Sequence, residues 1–155
     1  MNIRKATLED IDLLIRLRFD YLLVDRGSLT TEEKEIIRSQ LISYYTKHIN
    51  TNFIAILAEM DHTVVSTAFL AISEKPANPA FITGKTGTLL NVFTYPEYRR
   101  KGFSTQVISQ IIEEAKLSGV SSIDLSASPE GKSLYEQLGF TEPKSKYTPM
   151  KLQLI

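Results

Sequence analysis

A basic turn between an apolar strand and a helix is the first segment whose residue types suit chemistry. The strand candidate carries Val92 and Thr94, and Pro96 ends its ladder because proline has no N–H to donate. The turn and the first helical residues that follow are Arg99, Arg100, Lys101, Gly102, Phe103, Ser104 and Thr105. The first N–H groups of a helix are unpaired and carry partial positive charge, so this turn suits a pyrophosphate. A solvated basic turn remains an equally simple interpretation of these residues alone.

A second segment, LSASPEGKSLYEQLGF from Leu125 to Phe140, places a tyrosine where a strand gives way to a short helix. The helix is predicted over Lys132 to Leu138 and ends at Gly139. Tyr135 on that helix has a phenol with an ordinary pKa near 10, so it can donate a proton at neutral pH. Taken alone, its position favours core packing.

Other catalytic and binding motifs are absent. The chain has no GxxxxGK[ST] phosphate loop and no GxGxxG dinucleotide fingerprint. It has no cysteine, which excludes a disulfide framework, a thiolate zinc site and a cysteine nucleophile. His48 and His62 are isolated on different elements without ligand spacing, so we expect no metal.

Taken together, the basic turn and the tyrosine segment resemble the GNAT superfamily of N-acetyltransferases, which use acetyl-coenzyme A. The family's acyl-CoA loop, R/Q-x-x-G-x-G/A, is matched by Arg99 and Gly102. The family's closing motif, commonly LYEKLGF, is matched by LYEQLGF at Leu134 to Phe140. The order of the elements also fits, so the resemblance covers nearly the whole chain and implies one acetyltransferase domain over residues 1–155.

Two positions depart from the family pattern. Ser104 stands at the last small position of the loop, where glycine or alanine is usual, but serine still presents its N–H. Ser128 and Gly131 stand where many relatives have asparagine and alanine, which puts an asparagine-type contact to the cofactor in doubt. A subgroup of the family carries this Ala-Ser-x-x-Gly form.

The resemblance implies acetyl-CoA as cofactor and a site for it. The pantetheine arm is expected against the backbone of Val92 and Thr94, in a gap where the sheet splays open. The pyrophosphate is expected at the backbone of the basic turn. The residues implied in cofactor binding are Val92, Thr94, Arg99, Arg100, Lys101, Gly102, Phe103, Ser104, Thr105 and Ser128.

The implied reaction is attack of a neutral amine on a thioester. The absence of cysteine favours direct transfer over a cysteine acyl-enzyme, whereas composition alone leaves a serine ester open. Tyr135 is the expected general acid for the departing thiolate, and the N–H of Val92 is expected to polarise the carbonyl. Asn91 is either a substrate or water contact or a hydrogen-bonding residue inside the sheet. The base is open: Glu59, Glu74 and a water chain are the candidates.

The acceptor is an unidentified small-molecule or peptide amine. In this family the first two helices shape the acceptor pocket, and Tyr21, Tyr44 and Tyr45 lie on them. Packing is the favoured interpretation of these three tyrosines, because amphipathic helices bury such residues anyway.

The elements that must position these residues follow from hydrophobic periodicity. Strands are predicted over Asn2 to Ala6, Phe53 to Glu59, Thr63 to Ile72, Lys85 to Thr94, Val120 to Ala127 and Tyr147 to Leu154. Helices are predicted before Gly27, after Thr30, before Gly119 and before Gly139. Three consecutive strands followed by crossover helices predict an α/β (α+β) fold. Its mixed central sheet has six to seven strands, with helices on both faces.

Composition limits the partners. The chain has 155 residues with 18 basic and 18 acidic side chains, so no large field attracts nucleic acid or an anionic membrane. No apolar run is long enough for a signal peptide or a membrane span, and we expect a soluble cytoplasmic protein. Relatives often dimerise, so a homodimer is possible.

The alternatives to an enzyme are a non-catalytic acyl-CoA-sensing module and, less favoured, a nucleic-acid binder built on the basic turn.

Overall fold

Five strands and four α-helices make up the computed structural model, which describes residues 1–155. The strands are β1 (Asn2–Lys5), β2 (Phe53–Met60), β3 (Thr63–Glu74), β4 (Lys85–Thr94) and β5 (Ser122–Asp124). The helices are α1 (Ile11–Arg26), α2 (Thr31–His48), α3 (Phe103–Leu117) and α4 (Lys132–Gln137). Short 3₁₀ turns at Leu8–Asp10 and Pro96–Tyr98 precede α1 and α3.

The strands form one sheet in the order β1-β2-β3-β4-β5. The first four strands are antiparallel to their neighbours, and β5 joins β4 in parallel, so the predicted mixed sheet is confirmed. The parallel pairing is short, running from Thr86 opposite Ser122 to Thr88 opposite Asp124. Beyond Thr88, β4 continues to Thr94 with no partner on this side.

The predicted count of six to seven strands is wrong. The strand expected over Val120 to Ala127 is reduced to the three residues of β5, because the chain leaves β4 after Asp124. The strand expected over Tyr147 to Leu154 does not form. Its apolar side chains are exposed: Met150 by 92%, Leu152 by 81% and Leu154 by 84%. The two edge strands of the sheet are β1, with four residues, and β5, with three, and both are too short to pair with an eight-residue strand.

Helices cover both faces of the sheet, as predicted. Side chains alternate along a strand, so successive residues of β2 enter different cores. Phe53, Ala55 and Leu57 pack with α1 and α2, whereas Ile54 and Ile56 pack with α3. The sheet is therefore a buried central layer, and α1 and α3 approach β4 from opposite sides.

The helix ends follow from local chemistry. Thr30 and Glu33 form the expected capping box: Glu33 N–H donates to Thr30 Oγ1 at 3.0 Å, and Thr30 N–H donates to Glu33 Oε1 at 2.9 Å. Gly27 and Gly119 follow α1 and α3 with φ of +85° and +75°, a region that favours glycine. No helix combines the length and the apolar character needed to cross a bilayer.

Candidate active site

A cavity of about 960 Å³ occupies the place where β4 and the chain after β5 diverge. One wall is the unpaired side of β4 from Thr88 to Thr94, and the opposite wall is the segment after β5 together with α4. The turn before α3 closes one end of the cavity. Helix α1 also contributes to the lining, through Tyr21, Val24 and Asp25. The cavity therefore connects the basic turn to the helical side of the sheet.

A bulge in β4 shapes the middle of this cavity. Leu90 faces Phe69 and Phe93 faces Thr67, so β4 takes three steps where β3 takes two. The extra residue leaves a peptide outside the regular ladder, which frees backbone groups for a ligand. Asn91 lies in this bulge with φ of +54°, and its side chain is buried at 1% exposure. Its Oδ1 accepts a hydrogen bond from Arg18 Nη1 at 3.2 Å, while its Nδ2 has no partner.

The turn before α3 presents backbone N–H groups to the cavity. Arg100 and Gly102 have φ of +63° and +83°, and Gly102 begins the helix without any side-chain cap. The N–H groups of Phe103, Ser104 and Thr105 have no intrahelical acceptor, because the first helical bond runs from Gln106 to Gly102. With the helix dipole, these donors form an anion-binding end to the cavity.

Three hydroxyl groups tie this turn to the sheet. Ser66 Oγ lies 2.7 Å from Thr94 Oγ1, which in turn lies 2.9 Å from Ser104 Oγ. Arg99 Nε also donates to the Thr94 carbonyl oxygen at 3.0 Å. The Ser104 hydroxyl therefore bonds to β4 and leaves its own N–H free. This contact accounts for serine at a position where the family prefers glycine or alanine.

Tyr135 enters the cavity from α4. Its ring meets Phe140 edge to face at 5.9 Å, and burial together with nearby Tyr21 raises the pKa of its phenol above the ordinary value. Gly131 lies one helical turn earlier, where a Cβ would lie 3.2 Å from Ser128 Oγ and 3.4 Å from Tyr135 Cε2. Gly131 N–H donates to Ser128 Oγ at 3.1 Å. The Ser128–Gly131 pair thus starts α4 and leaves room for the phenol ring.

The cavity brings together most residues that the sequence singled out. Those lining it are Asn91, Val92, Thr94, Arg99, Arg100, Gly102, Phe103, Ser104, Thr105, Ser128 and Tyr135. Lys101 does not line it, and its Nζ lies 5.7 Å from the ring centre of Tyr98. Phe103 lines the cavity, and its side chain belongs to the buried core on the α3 face of the sheet.

The two carboxylates considered as bases lie elsewhere. Glu59 pairs with Arg4 and faces Val64 near the β2–β3 turn. Glu74 faces Lys85 at the start of β4, about 20 Å along the strand from Asn91. Neither lines the cavity. The structure also groups no three histidine, aspartate or glutamate side chains into a metal site, and His48 Nδ1 contacts Asn52 Oδ1 at 2.6 Å.

Arg18 of α1 is a site residue that the sequence analysis did not single out, and Tyr21, for which packing was the favoured interpretation, also lies at the site. Tyr21 lines the cavity and Arg18 bonds to Asn91, which also lines it. A signal for Arg18 existed: it falls on the same helical stripe as Leu14, Ile15 and Leu22, where an arginine would be directed inward. Tyr21 lies on one of the two helices that the resemblance associates with the acceptor pocket, but packing was the favoured interpretation because amphipathic helices bury such residues anyway.

The residues present fit acetyl-CoA. Cap-free N–H groups at the start of α3 with Arg99 and Arg100 suit a pyrophosphate. The bulged, unpaired side of β4 offers backbone groups to an amide-containing arm. Both features open into the same cavity.

Residues 51–142 match the family model of the acetyltransferase (GNAT) domain. The match covers more than half of the chain, and the chain belongs to the GNAT acetyltransferase family. No curated protein sequence matches it.

Solved structures share this fold over their whole length. A predicted acetyltransferase from Clostridium acetobutylicum, determined with acetyl-CoA, is 28% identical with a TM-score of 0.82; the alignment covers 97% of this chain and 95% of that chain. A GCN5-related N-acetyltransferase from Ralstonia eutropha JMP134 is 18% identical with a TM-score of 0.77, covering 96% and 97%. A ribosomal-protein-alanine N-acetyltransferase from Brucella melitensis is 19% identical with a TM-score of 0.66, covering 97% and 100%.

Proposed function

We propose that this protein is an N-acetyltransferase that moves an acetyl group from acetyl-CoA directly to an amine of a small molecule or peptide. One observation carries the proposal. A single cavity joins the cap-free start of α3, the bulged side of β4 and the phenol of Tyr135. These are the three features needed to hold a pyrophosphate, to align an acyl group and to supply a proton.

The cofactor would be held mainly through backbone groups. The N–H groups of Gly102, Ser104 and Thr105 would bind the pyrophosphate, with the side chain of Arg100 adding charge. Val92 and Thr94 would bind the pantetheine arm along β4. When bound, acetyl-CoA supplies the acetyl group as a thioester. Ser128 lines the same cavity at the start of α4 and completes the set.

Tyr135 would protonate the thiolate that leaves. Its raised pKa keeps the phenol protonated at neutral pH, which a proton donor requires. The bulge interrupts the β3–β4 ladder between Leu90 and Phe93, and the N–H of Val92 would polarise the carbonyl there. Glu59 and Glu74 lie outside the cavity, so water is the one expected base that would be available to take the amine proton.

A non-catalytic acyl-CoA sensor is the second candidate. It is favoured by one observation, namely that neither expected carboxylate base lies at the cavity. The same residues would hold the cofactor in both cases. The two candidates therefore differ only in turnover.

Calorimetry with acetyl-CoA and a CoA-release assay over a broad amine panel test both candidates. Saturable binding with release of CoA for at least one amine is expected. Binding without release for any amine would leave the sensor. Absence of binding would reject both.

A further inference from the structure

Arg18 on α1 is a half-buried cation without an acidic partner. Its Nη1 donates to Asn91 Oδ1 at 3.2 Å, and its Cζ lies 5.9 Å from the ring centre of Tyr21. No carboxylate lies within 4 Å of its guanidinium. Arg4, by comparison, makes ion pairs with both Asp10 and Glu59. Arg18 thus has four further N–H donors and an unneutralised charge.

Asn91 adds a second unpaired donor at the same place. Its Nδ2 is buried without a hydrogen-bond partner, and the residue is held in the left-handed region at φ of +54°. A buried amide without a partner is costly, and few native groups are left so. The bulge turns both Leu90 and Asn91 toward α1, since Leu90 packs in the core of that face. The amide and the guanidinium therefore meet beside the cavity.

Nearby acidic groups do not neutralise Arg18. Asp20 accepts a hydrogen bond from the hydroxyl of Tyr95, and Asp25 lies 3.5 Å from Arg26 at the end of α1. Tyr21 lies close to the guanidinium of Arg18 and also, after burial, helps to raise the pKa of Tyr135. The Arg18 guanidinium thus lies directly behind Asn91, which lines the cavity, whereas Asp25 lines the cavity near the end of α1.

We infer that the acceptor carries an anionic group, a carboxylate or a phosphate, which binds Arg18 and the Nδ2 of Asn91. This inference rests on the proposed function and names its substrate class. The planar guanidinium can bind two oxygens of a carboxylate or of a phosphate through two parallel hydrogen bonds. The anion satisfies the donors that the folded chain leaves unpaired. It also orients the amine toward Val92 in the next position of the strand.

The test uses acceptor pairs that differ in the anion alone. α-Amino acids of varied side chain are compared with their carboxamides, and phosphoethanolamine is compared with ethanolamine. We expect the anionic member to have a kcat/KM about 10- to 100-fold higher, the usual effect of one charge-assisted hydrogen bond. The amino-acid pairs and the phosphate pair tell which anion is preferred.

Arg18→Gln is expected to abolish the preference for the anionic acceptor by raising its KM. Arg18→Lys keeps the charge and is expected to retain part of the preference. Arg16→Gln removes the same charge from the exposed face of the same helix and is expected to keep the preference. Thermal shifts with the same pairs report binding without turnover, and acetyl-CoA calorimetry on each variant reports folding and cofactor binding. Two outcomes overturn the inference. The neutral compounds could bind as well as the anionic ones, or the preference for the anionic compounds could be unchanged in Arg18→Gln. If the unmodified protein does not bind acetyl-CoA, the proposed function is overturned instead. The thermal shifts with the anionic and neutral compounds still test the anion site in that case.

Discussion

Tyr135 is the side chain on which the chemistry proposed for the cavity depends most. Tyr135→Phe removes one hydroxyl and keeps the edge-to-face contact with Phe140. We expect kcat to fall by about 10²- to 10⁴-fold, the usual contribution of a general acid, with acetyl-CoA affinity unchanged. Steady-state kinetics and calorimetry measure the two quantities.

Tyr147→Phe is the matched control for that substitution, because Tyr147 is 75% exposed near the C-terminus. It makes the same chemical change away from the cavity and should leave kcat unaltered. Equal turnover in Tyr135→Phe and Tyr147→Phe would remove Tyr135 from the acid role.

Those cavity residues that belong to a sequence motif could be predicted from the sequence. Arg99, Gly102 and Tyr135 belong to two sequence motifs, and the structure brings all three to one cavity. Arg18 and the unpaired Nδ2 of Asn91 were not predictable in the same way. Their contact joins residues 73 positions apart in sequence and depends on a bulge that no local pattern reveals.

Glycines at both ends of α3 allow the effect of its first turn on cofactor binding to be measured separately from the effect on protein stability. Gly102 and Gly119 flank the helix with φ of +83° and +75°, and a Cβ at either would meet no atom within 4 Å. Alanine at either position should cost about 1–2 kcal/mol of stability, because L-residues disfavour this conformation. Only Gly102→Ala adds a methyl group to the cavity.

We therefore expect Gly102→Ala to weaken acetyl-CoA binding and Gly119→Ala to leave it intact. Urea unfolding and calorimetry on the two variants check this. Similar affinity in both variants would contradict the assignment of the turn as the pyrophosphate site.

The entry to α1 depends on Asp10. Its carboxylate accepts hydrogen bonds from Nη1 and Nη2 of Arg4, each at 2.8 Å, and from the N–H of Thr7 at 2.8 Å. These bonds, led by that from Arg4, lower the pKa of Asp10 below its ordinary value. The stabilisation is therefore complete above the unfolded pKa of about 3.9 and is lost as pH falls through the lower folded pKa.

Asp10→Asn should destabilise the protein by about 1–3 kcal/mol at pH 7, the cost of weakening a partly buried set of charged hydrogen bonds. The variant should also lose less stability than the parent protein between pH 4 and acid conditions. Urea unfolding across this range measures both effects. Asp12→Asn, at an exposed position in the first turn of α1, is the control and should behave like the parent.

Strand lengths were the least predictable property of the elements. The alternation of Met150, Leu152 and Leu154 is that of a strand, yet no strand forms there. Alternation of apolar and polar residues indicates that a segment could form a strand. The strand forms only where an edge strand of matching length is available to pair with it. The edge strands are β1 and β5, which have four and three residues. Helix ends were predicted better, because Thr30, Glu33 and Gly27 act through local bonds and local φ.

At the scale of the molecule, the C-terminal segment contributes little to the fold as it stands. Residues 147–155 are exposed and contain no helix or strand. Deleting them should change the free energy of unfolding by less than about 0.5 kcal/mol, the usual range for surface changes. Thermal and urea unfolding of the truncated chain test this. A clear fall in stability would show that the segment packs against the domain in solution.

The short pairing of β5 with β4 bears on how long the protein survives in a cell. Three registered pairs join the sheet to the chain that carries Ser128 and Tyr135. Under the proposed function, acetyl-CoA lies between these two parts and binds only when both are in place. At a concentration 100 times its Kd, such a ligand stabilises the folded state by about 2.7 kcal/mol. Proteases that attack opened chains would then degrade the protein faster when acetyl-CoA is scarce, so its abundance would follow the supply of its own donor.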